Sequence, residues 1–346
     1  MDTKIEIKHL YKIFGDHPSE MLDKVKNGVG KDELNEEFGH VLGLNDINLK
    51  MPAHGVQVVM GLSGSGKSTL IRHINRLIEP TAGEVLVDGE NILAMEEKIL
   101  RDFRRVRASM VFQKFALLPH KTVLENTLYG LEIQGVSDSD AKKRALHWIN
   151  RVGLSGFEDN YPSQLSGGMQ QRVGLARALA TDADILLMDE AFSALDPLIR
   201  NDMQNILLDL QQELHKTIVF ITHDLEEALR IGDQIAILRD GAMVQQGTPQ
   251  QIILKPIDDY IADFTKDINR GRVIQLKTIM KPVNEKPGPE LMGDMLVEDA
   301  AQLVTESPSS QARVTDDSGQ VVGVVGINDL IRAMARPNLE SRLEEL

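Results

Sequence analysis

A glycine-rich segment at residues 61–69 carries the residue types needed to hold a phosphate group. It reads Gly-Leu-Ser-Gly-Ser-Gly-Lys-Ser-Thr, follows an apolar run at 56–60 and precedes a helical pattern, which disfavours the alternative of a plain surface loop. Glycines let the backbone turn so tightly that its N–H groups face a phosphate, and the next helix adds its positive end. Lys67 is expected to reach the β- and γ-phosphates of a nucleotide and Ser68 to bind Mg²⁺. The predicted nucleotide contacts in this segment are Gly61, Ser63, Gly64, Ser65, Gly66, Lys67, Ser68 and Thr69.

Two adjacent carboxylates, Asp189 and Glu190, end a second informative segment. The run at 185–188 is Ile-Leu-Leu-Met, a continuous apolar pattern that predicts a strand buried on both faces. In an open parallel sheet, ligands bind at the carboxyl ends of the strands. We therefore expect Asp189 to hold a metal ion through water and Glu190 to polarise a water molecule that attacks the γ-phosphate. Adjacent acids also occur at strand ends without a function, but the phosphate-binding segment argues against that alternative here.

A third segment, Leu-Ser-Gly-Gly-Met-Gln at 165–170, opens a predicted helix at 169–180. Ser166, Gly167 and Gly168 offer small side chains and backbone N–H donors where that helix begins, which predicts a second anion site. One γ-phosphate cannot occupy this site and the first within a single subunit.

With these segments in this order, the chain resembles the ATP-binding subunits of ATP-binding-cassette (ABC) transporters over about residues 1–264. Segment 165–170 matches the family signature, and further matches are Gln113 for the Q-loop, Asp196 for the D-loop, His223 for the switch histidine and Phe14 for the aromatic ring that stacks on adenine. A single glutamine or histidine would be weak support, so the resemblance depends on order and spacing. It implies ATP and Mg²⁺ as cofactors, with catalytic roles for Lys67, Gln113, Glu190 and His223 and metal binding by Ser68, Gln113 and Asp189.

The resemblance also implies a homodimer. Two copies would pack head to tail, with each ATP between Lys67 of one copy and Ser166 of the other, and Asp196 would help to join the two sites.

A polar, charged insertion at 17–40 lies between two strands that the sequence predicts at 4–10 and 56–60. It resembles the insertion of importers for glycine betaine, proline betaine and choline. The resemblance implies an ATPase that powers the uptake of a quaternary amine or a related solute such as trimethylamine N-oxide. Its partners would be an integral-membrane permease and a periplasmic or extracellular binding protein. An importer of another polar solute, such as an amino acid, is the alternative.

The implied fold is α/β, a P-loop NTPase core with a helical subdomain at about 93–180, followed by a small α+β unit. Within 265–346, strands at 311–315 and 320–325, a turn between them and a helix near Asn328 are predicted. The pattern at 321–330 resembles one copy of a cystathionine-β-synthase (CBS) module. Two copies of the module normally form one nucleotide site. The single copy would therefore serve regulation if the dimer supplies the second copy, and would otherwise only help dimerisation.

The loop at 113–120 is apolar where a charged loop would be better solvated. An apolar loop beside a catalytic glutamine suggests a docking groove, and the resemblance implies that a short helix of the permease binds there. Ordinary packing of Phe115 and Leu117 is the alternative. We predict that a charge at Ala116 uncouples transport from ATP hydrolysis.

Composition limits the remaining classes of function. The 346 residues include no cysteine, which excludes disulfides and thiolate zinc sites. The net charge of −14 argues against nucleic acid as the ligand. No apolar run approaches the roughly 18–20 residues that cross a bilayer, and the first residues lack a signal-peptide pattern. Membrane association is thus expected through partners, and the resemblance implies a peripheral position on the cytoplasmic side of the bacterial inner membrane.

Two rival classes remain. A soluble ABC protein acting on ribosomes or DNA would typically carry two cassettes or a long coiled-coil insertion, and the sequence has neither. A non-hydrolytic regulatory module would lack Lys67, Glu190 or His223, and all three are present.

Overall fold

The structure, a computed structural model, describes residues 2–113, 115–193, 195–283 and 287–335. Its contacts divide the chain into two units between Gln246 and Gly247. The sequence analysis set the boundary at 264, whereas residues 247–264, which carry one helix at 249–254 and most of a second at 259–265, fall in the second unit of the structure.

The described residues of the first unit form ten strands: β1 Thr3–Phe14, β2 Val41–Pro52, β3 Val56–Met60, β4 Ala82–Val87, β5 Glu90–Asn91, β6 Ala108–Val111, β7 Ile185–Asp189, β8 Thr217–Thr222, β9 Gln234–Arg239 and β10 Ala242–Gly247. They form a six-stranded sheet in the order β10-β9-β3-β8-β7-β6 and a four-stranded sheet in the order β2-β1-β4-β5. Strand β4 lies between β1 and the two-residue β5.

The central strands of the larger sheet are parallel, which places their carboxyl ends at one edge. Strand β3 pairs with β8 and β9, and β7 pairs with β6 and β8, all in parallel. Every residue of β3, β7 and β8 is buried, as continuous apolar runs predict for strands covered on both faces. The three loops that follow these strands carry Lys67, Glu190 and His223, so the sheet brings distant parts of the sequence together.

Nine helices are described in the first unit: α1 Leu22–Lys26, α2 Lys31–Phe38, α3 Lys67–Ile74, α4 Glu97–Val106, α5 Val123–Gln134, α6 Asp138–Arg151, α7 Gly167–Ala180, α8 Pro197–Leu214 and α9 Leu225–Ile231. Helix α3 packs into the main core, which draws on both sheets. Helix α4 also contributes to that core through Leu100 and Phe103, and β6 belongs to the large sheet. Within the described residues of 93–180, helices α5, α6 and α7 share a cluster apart from that core, so the predicted region at 93–180 is not wholly a helical subdomain. Trp148 is only partly buried against that cluster.

The second unit combines helices with a small sheet. Its helices are α10 Pro249–Leu254, α11 Asp259–Thr265, α12 Leu276–Ile279, α13 Val297–Glu306 and α14 Ile327–Met334, and its strands are β11 Glu290–Met292, β12 Gln311–Thr315 and β13 Val321–Gly326. Strands β12 and β13 form the predicted antiparallel pair. Helix α14 is capped at Gly326, whose N–H donates to Asp329, rather than near Asn328. The charged end at 336–346 lies outside the described residues.

In the part of the chain that the structure describes, none of the helices has both the length and the apolar character needed to cross a membrane.

Candidate functional site

The phosphate-binding loop follows β3 and starts α3 in the predicted order. Gly66 has a φ of 100°, and a Cβ atom there would lie 2.5 Å from the carbonyl oxygen of Gly43, so this position requires glycine. Lys67 curls back over the loop, and its Nζ donates to the carbonyl oxygens of Gly61 at 2.8 Å and Leu62 at 2.9 Å. The loop thus holds its own ammonium group in the concavity where a phosphate would bind.

The other loop residues divide into exposed and buried positions. Ser63 and Gly64 are exposed, whereas the buried hydroxyl of Ser65 has no hydrogen-bond partner. The Thr69 carbonyl accepts a hydrogen bond from His73 Nδ1 at 2.6 Å. An unpartnered buried hydroxyl beside backbone N–H groups fits a site that an anion completes.

The ammonium group of Lys67 is largely removed from water. The residue is 5% exposed, and burial lowers the pKa of its ammonium, while the carboxylates of Glu190 and Asp189 oppose that shift. In the described structure, the carboxylates of Glu190 and Asp189 offset the positive charge of Lys67. A bound nucleotide and its metal ion would change these charge interactions.

Asp189 is fully buried at the end of β7, and both its oxygens are bonded. Oδ1 accepts from Ser68 Oγ at 2.7 Å, and Oδ2 accepts from Arg72 Nη2 at 3.1 Å. Mg²⁺ prefers hard oxygen ligands and is usually held by one or two carboxylates together with substrate phosphates. The hydroxyl of Ser68 and the carboxylate of Asp189 therefore fit a magnesium ion between the loop and β7.

Gln113, Glu190 and His223 meet at the same edge of the sheet. Gln113 Nε2 donates to Glu190 Oε2 at 2.8 Å, and His223 Nδ1 lies 3.7 Å from the same oxygen. Glu190 has a φ of 46°, an uncommon conformation for a residue with a side chain and one that often marks a functional site. One carboxylate oxygen thus connects three loops that are 77 and 33 residues apart in sequence.

Phe14 ends β1 with 39% of its surface exposed. Its ring lies against Gly43, where a Cβ atom would come within 2.6 Å of it, and Lys12 Nζ is 4.9 Å from the ring centroid. Glycine at position 43 therefore leaves room for the ring, and an exposed aromatic face is suited to stacking on a base.

The signature segment and the D-loop lie beside each other. Ser166 caps α7 by accepting from Met169 N at 3.3 Å, and Asp196 caps α8 by accepting from Ile199 N at 3.0 Å. A Cβ atom at Gly168 would be 3.1 Å from the Ile199 side chain. Ser166 and Gly167 are exposed, and no hydrogen bond or ion pair among the described residues joins 165–170 to 61–69. Ser166 and Gly167 of the signature segment are thus accessible from solvent.

Sequence reasoning missed three basic side chains that support the site. Arg72 binds Asp189, as noted above, and its position four residues after Ser68 on the same helix face was the available signal. Arg177 Nη1 and Nη2 donate to the carbonyl oxygens of Ala116 and Phe115 at 2.8 and 3.1 Å. Lys31 of the insertion donates to the Gly64 carbonyl at 3.0 Å. No rule of sequence spacing predicts the contacts of Arg177 and Lys31, because each contact joins segments that are far apart in the sequence.

A cavity of about 380 Å³ opens beside the Q-loop, between that loop and α5. Its lining includes Ala116, Leu118, Tyr129, Ile133 and Arg177. Phe115 and Leu117 are half-buried while Ala116 is exposed, so the loop combines internal packing with an open apolar surface. Lys114 lies outside the described residues.

The chain is similar to known proteins in sequence and fold. A family model described as ABC transporter matches residues 44–193. A glycine betaine transport ATP-binding protein, OpuAA of Bacillus subtilis, is 48% identical and covers 95% of this chain and 78% of its own length. A trimethylamine N-oxide transport system ATP-binding protein, TmoW of Pelagibacter ubique, is 42% identical over 96% of this chain and 98% of its own. The dimeric, post-hydrolysis ATP-binding cassette MJ0796 with bound ADP and phosphate is 32% identical, with a TM-score of 0.61, and covers 71% of this chain and 98% of that one.

Proposed function

Because this chain belongs to the family of ABC transporter ATP-binding subunits, we propose that it powers the import of a quaternary amine or a related methylated solute. Glycine betaine, proline betaine, choline and trimethylamine N-oxide are the candidate solutes. The chain is an ATPase, and the similarity to glycine betaine and trimethylamine N-oxide ATP-binding proteins extends over nearly its whole length, including the insertion and the second unit.

The observation that carries the proposal is the meeting of three loops at one sheet edge. Lys67, Asp189 and Glu190 lie beside one another there, and Gln113 and His223 both approach Glu190. Phosphoryl transfer needs positioned cations, a metal site and a group that orients the attacking water, and this edge offers each of them.

The reaction is an in-line attack of water on the γ-phosphorus of ATP. Glu190 accepts a hydrogen bond from the water and takes up its proton as the water oxygen bonds to phosphorus, the bond to the β,γ-bridging oxygen breaks and ADP departs. Lys67 exchanges the carbonyls of Gly61 and Leu62 for phosphate oxygens and stabilises the developing charge. Ser68, Gln113 and Asp189 would hold Mg²⁺, which would neutralise part of the phosphate charge. His223 contacts the γ-phosphate.

A second copy of the chain completes the pocket. Ser166, Gly167 and Gly168 form an exposed anion site at the start of α7, and a nucleotide on the loop of one copy would be covered by this site of the other. Asp196 would join the two sites across the pair, and Phe14 would stack on adenine. The dimeric state of MJ0796 supports this arrangement.

Docking to a permease would use the apolar surface around Ala116. The cavity beside it lies between the Q-loop and α5, so a helix bound there would sense any shift of Gln113.

The chain would then be peripheral to the cytoplasmic side of the membrane, and a separate binding protein would select the solute. Residues 1–264 would form the ATPase domain and 265–346 a CBS-like regulatory or dimerisation domain.

Transport by the reconstituted complex tests the proposal. The chain, its co-purifying permease and the binding protein are placed in vesicles with ATP inside, and uptake of labelled glycine betaine is measured with choline, trimethylamine N-oxide or an amino acid as competitor. Competition by methylated amines supports the proposal. Uptake that only an amino acid suppresses would establish the alternative solute class.

A further inference from the structure

Helix α2 of the insertion contacts the phosphate-binding loop through Lys31. Its Nζ donates to the carbonyl oxygen of Gly64 at 3.0 Å, in the exposed middle of that loop. Lys67 Nζ donates to the carbonyl oxygens of Gly61 and Leu62 in the same loop. Two ammonium groups therefore bond to backbone carbonyls of one phosphate-binding loop.

The start of α2 is held in place by the insertion's own core. Leu34, one turn after Lys31, is completely buried, and it clusters with Val25, Tyr11, Ile13 and Leu42. This cluster attaches the insertion to β1 and β2, the strands that carry Phe14 and Gly43. Since the helix is fixed through Leu34, the position of the Lys31 ammonium beside the loop follows from packing.

The charges of α2 make Lys31 distinctive. Its sequence is Lys-Asp-Glu-Leu-Asn-Glu-Glu-Phe, so Lys31 is its one basic residue among four acidic ones. An acidic helix beside a phosphate site repels the nucleotide. The basic residue stands at the end that contacts the loop, where it offsets that repulsion.

We propose that Lys31 is a nucleotide-binding residue and that the insertion forms a wall of the ATP site. When ATP binds, the Lys31 ammonium exchanges the Gly64 carbonyl for an oxygen of the terminal phosphates, because an ammonium–phosphate hydrogen bond between two charged groups is stronger than a bond to a neutral carbonyl. The inference rests on the proposed role of residues 61–69 as the phosphate site. It adds a contact supplied by the insertion.

The proposed contact between Lys31 and phosphate contributes more to ATP binding than to the rate of hydrolysis. Lys31 lies near the surface, so the interaction is partly screened by water and salt. Its loss is expected to weaken ATP binding by about three- to tenfold, with the effect falling on KM rather than on kcat.

Titration of the full-length chain with ATP tests the proposal. Lys31→Gln removes the charge and Lys31→Arg retains it. Lys26→Gln is the matched control, since Lys26 belongs to the same insertion but lies 5.7 Å from the Tyr11 ring centroid. We expect Lys31→Gln to bind ATP about three- to tenfold more weakly, Lys31→Arg to recover most of the affinity and Lys26→Gln to match the unaltered chain. The deficit of Lys31→Gln should shrink in high salt.

Two results would overturn the inference: wild-type affinity in Lys31→Gln, or an equal loss in Lys26→Gln. Lys67→Ala separates this inference from the underlying function. If Lys67→Ala abolishes ATP binding while Lys31→Gln binds normally, only the role of the insertion fails. If Lys67→Ala also binds normally, residues 61–69 are not the phosphate site.

Discussion

His73 is a buried histidine on the helix that presents Lys67 to the nucleotide. Its Nδ1–H donates to the Thr69 carbonyl at 2.6 Å, while the buried Nε2 has no partner. Burial, the largest influence, lowers the pKa of this imidazole to about 4. The neutral ring fits the core, and a second proton would place an unpaired charge in it.

We predict that His73 makes the folded chain sensitive to mild acid. Its pKa is about 4 when folded and 6.5 when unfolded, so the unfolded chain binds more protons between those values and stability falls as the pH drops through that window. The group contributes a loss of about 2 kcal/mol between pH 7 and pH 5. His73→Gln cannot titrate there, so its urea-unfolding free energy should fall less by that amount. Parallel profiles for the two chains would contradict this assignment.

At this scale, spacing and residue type were sufficient to select Lys67, Ser68, Asp189 and Glu190 as candidate site residues, because these candidates belong to local motifs. The structure brings the four residues together, and their functional roles remain predictions. The sequence did not predict how the side chains contact one another. The left-handed backbone of Glu190 and the bond from Gln113 to its carboxylate depend on loops from separate strands. Such contacts become visible only once the sheet has brought the strands together.

Helix α8 links two loops of the site through Arg200. Its Nη2 donates to the Leu195 carbonyl at 3.2 Å, next to Asp196, and its Nη1 donates to Asp224 at 3.1 Å, next to His223. One guanidinium thus bonds to the D-loop and to the residue that caps α9. This geometry makes Arg200 a positioning residue for the switch histidine.

Replacing Arg200 should therefore slow hydrolysis with little change in ATP affinity. We expect Arg200→Ala to lower kcat by about tenfold, equivalent to about 1.4 kcal/mol, and to affect KM much less. Arg230→Ala is the control, because Arg230 bonds to Asn201, Gln204 and Asn205 on the same helix but to neither loop. Steady-state phosphate release by the assembled transporter measures both. Equal losses in the two variants would indicate a general effect on α8 instead.

The Q-loop surface yields a prediction about coupling. Ala116 is exposed and lines the cavity beside α5, so Ala116→Glu would place a charge where an apolar helix of the permease is proposed to bind. Uptake by vesicles should fall by about tenfold or more, while ATP hydrolysis by the chain alone stays within about twofold. Ala116→Ser is the matched control, with a small uncharged change. Normal uptake by Ala116→Glu would reject this surface as the docking site.

Among elements, the predictions were best where a pattern depends on local sequence. The buried strands β3 and β7 and the β12–β13 pair follow from apolar runs and turns. The interior place of β4 and the membership of β6 in the large sheet depend on which strands pair, and such pairing joins segments far apart in sequence. The half-burial of Trp148 likewise reflects how α5, α6 and α7 meet.

For the molecule as a whole, the proposed ATP pocket is shared between two copies. Glu190→Gln keeps the size of the side chain but weakens its ability to polarise water, so ATP should bind without being hydrolysed. We predict that this variant forms a dimer in saturating ATP and Mg²⁺ and a monomer without nucleotide, as measured by light scattering after size exclusion. Turnover should fall by at least about a hundredfold. A variant that stays monomeric in saturating ATP would count against the shared pocket.

The close approach of Gly168 to Ile199 has a genetic consequence. This contact brings the first turns of α7 and α8 together, so that Ser166 and Asp196 of one copy lie on the same surface. In the proposed dimer, that surface contacts the nucleotide bound to the other copy. Two alleles, one with a substitution at Lys67 and one with a substitution at Ser166, would each be inactive alone. In a heterodimer of the two variants, one pocket would contain both substitutions and the other pocket would contain neither. Partial complementation in cells that express both alleles is therefore expected.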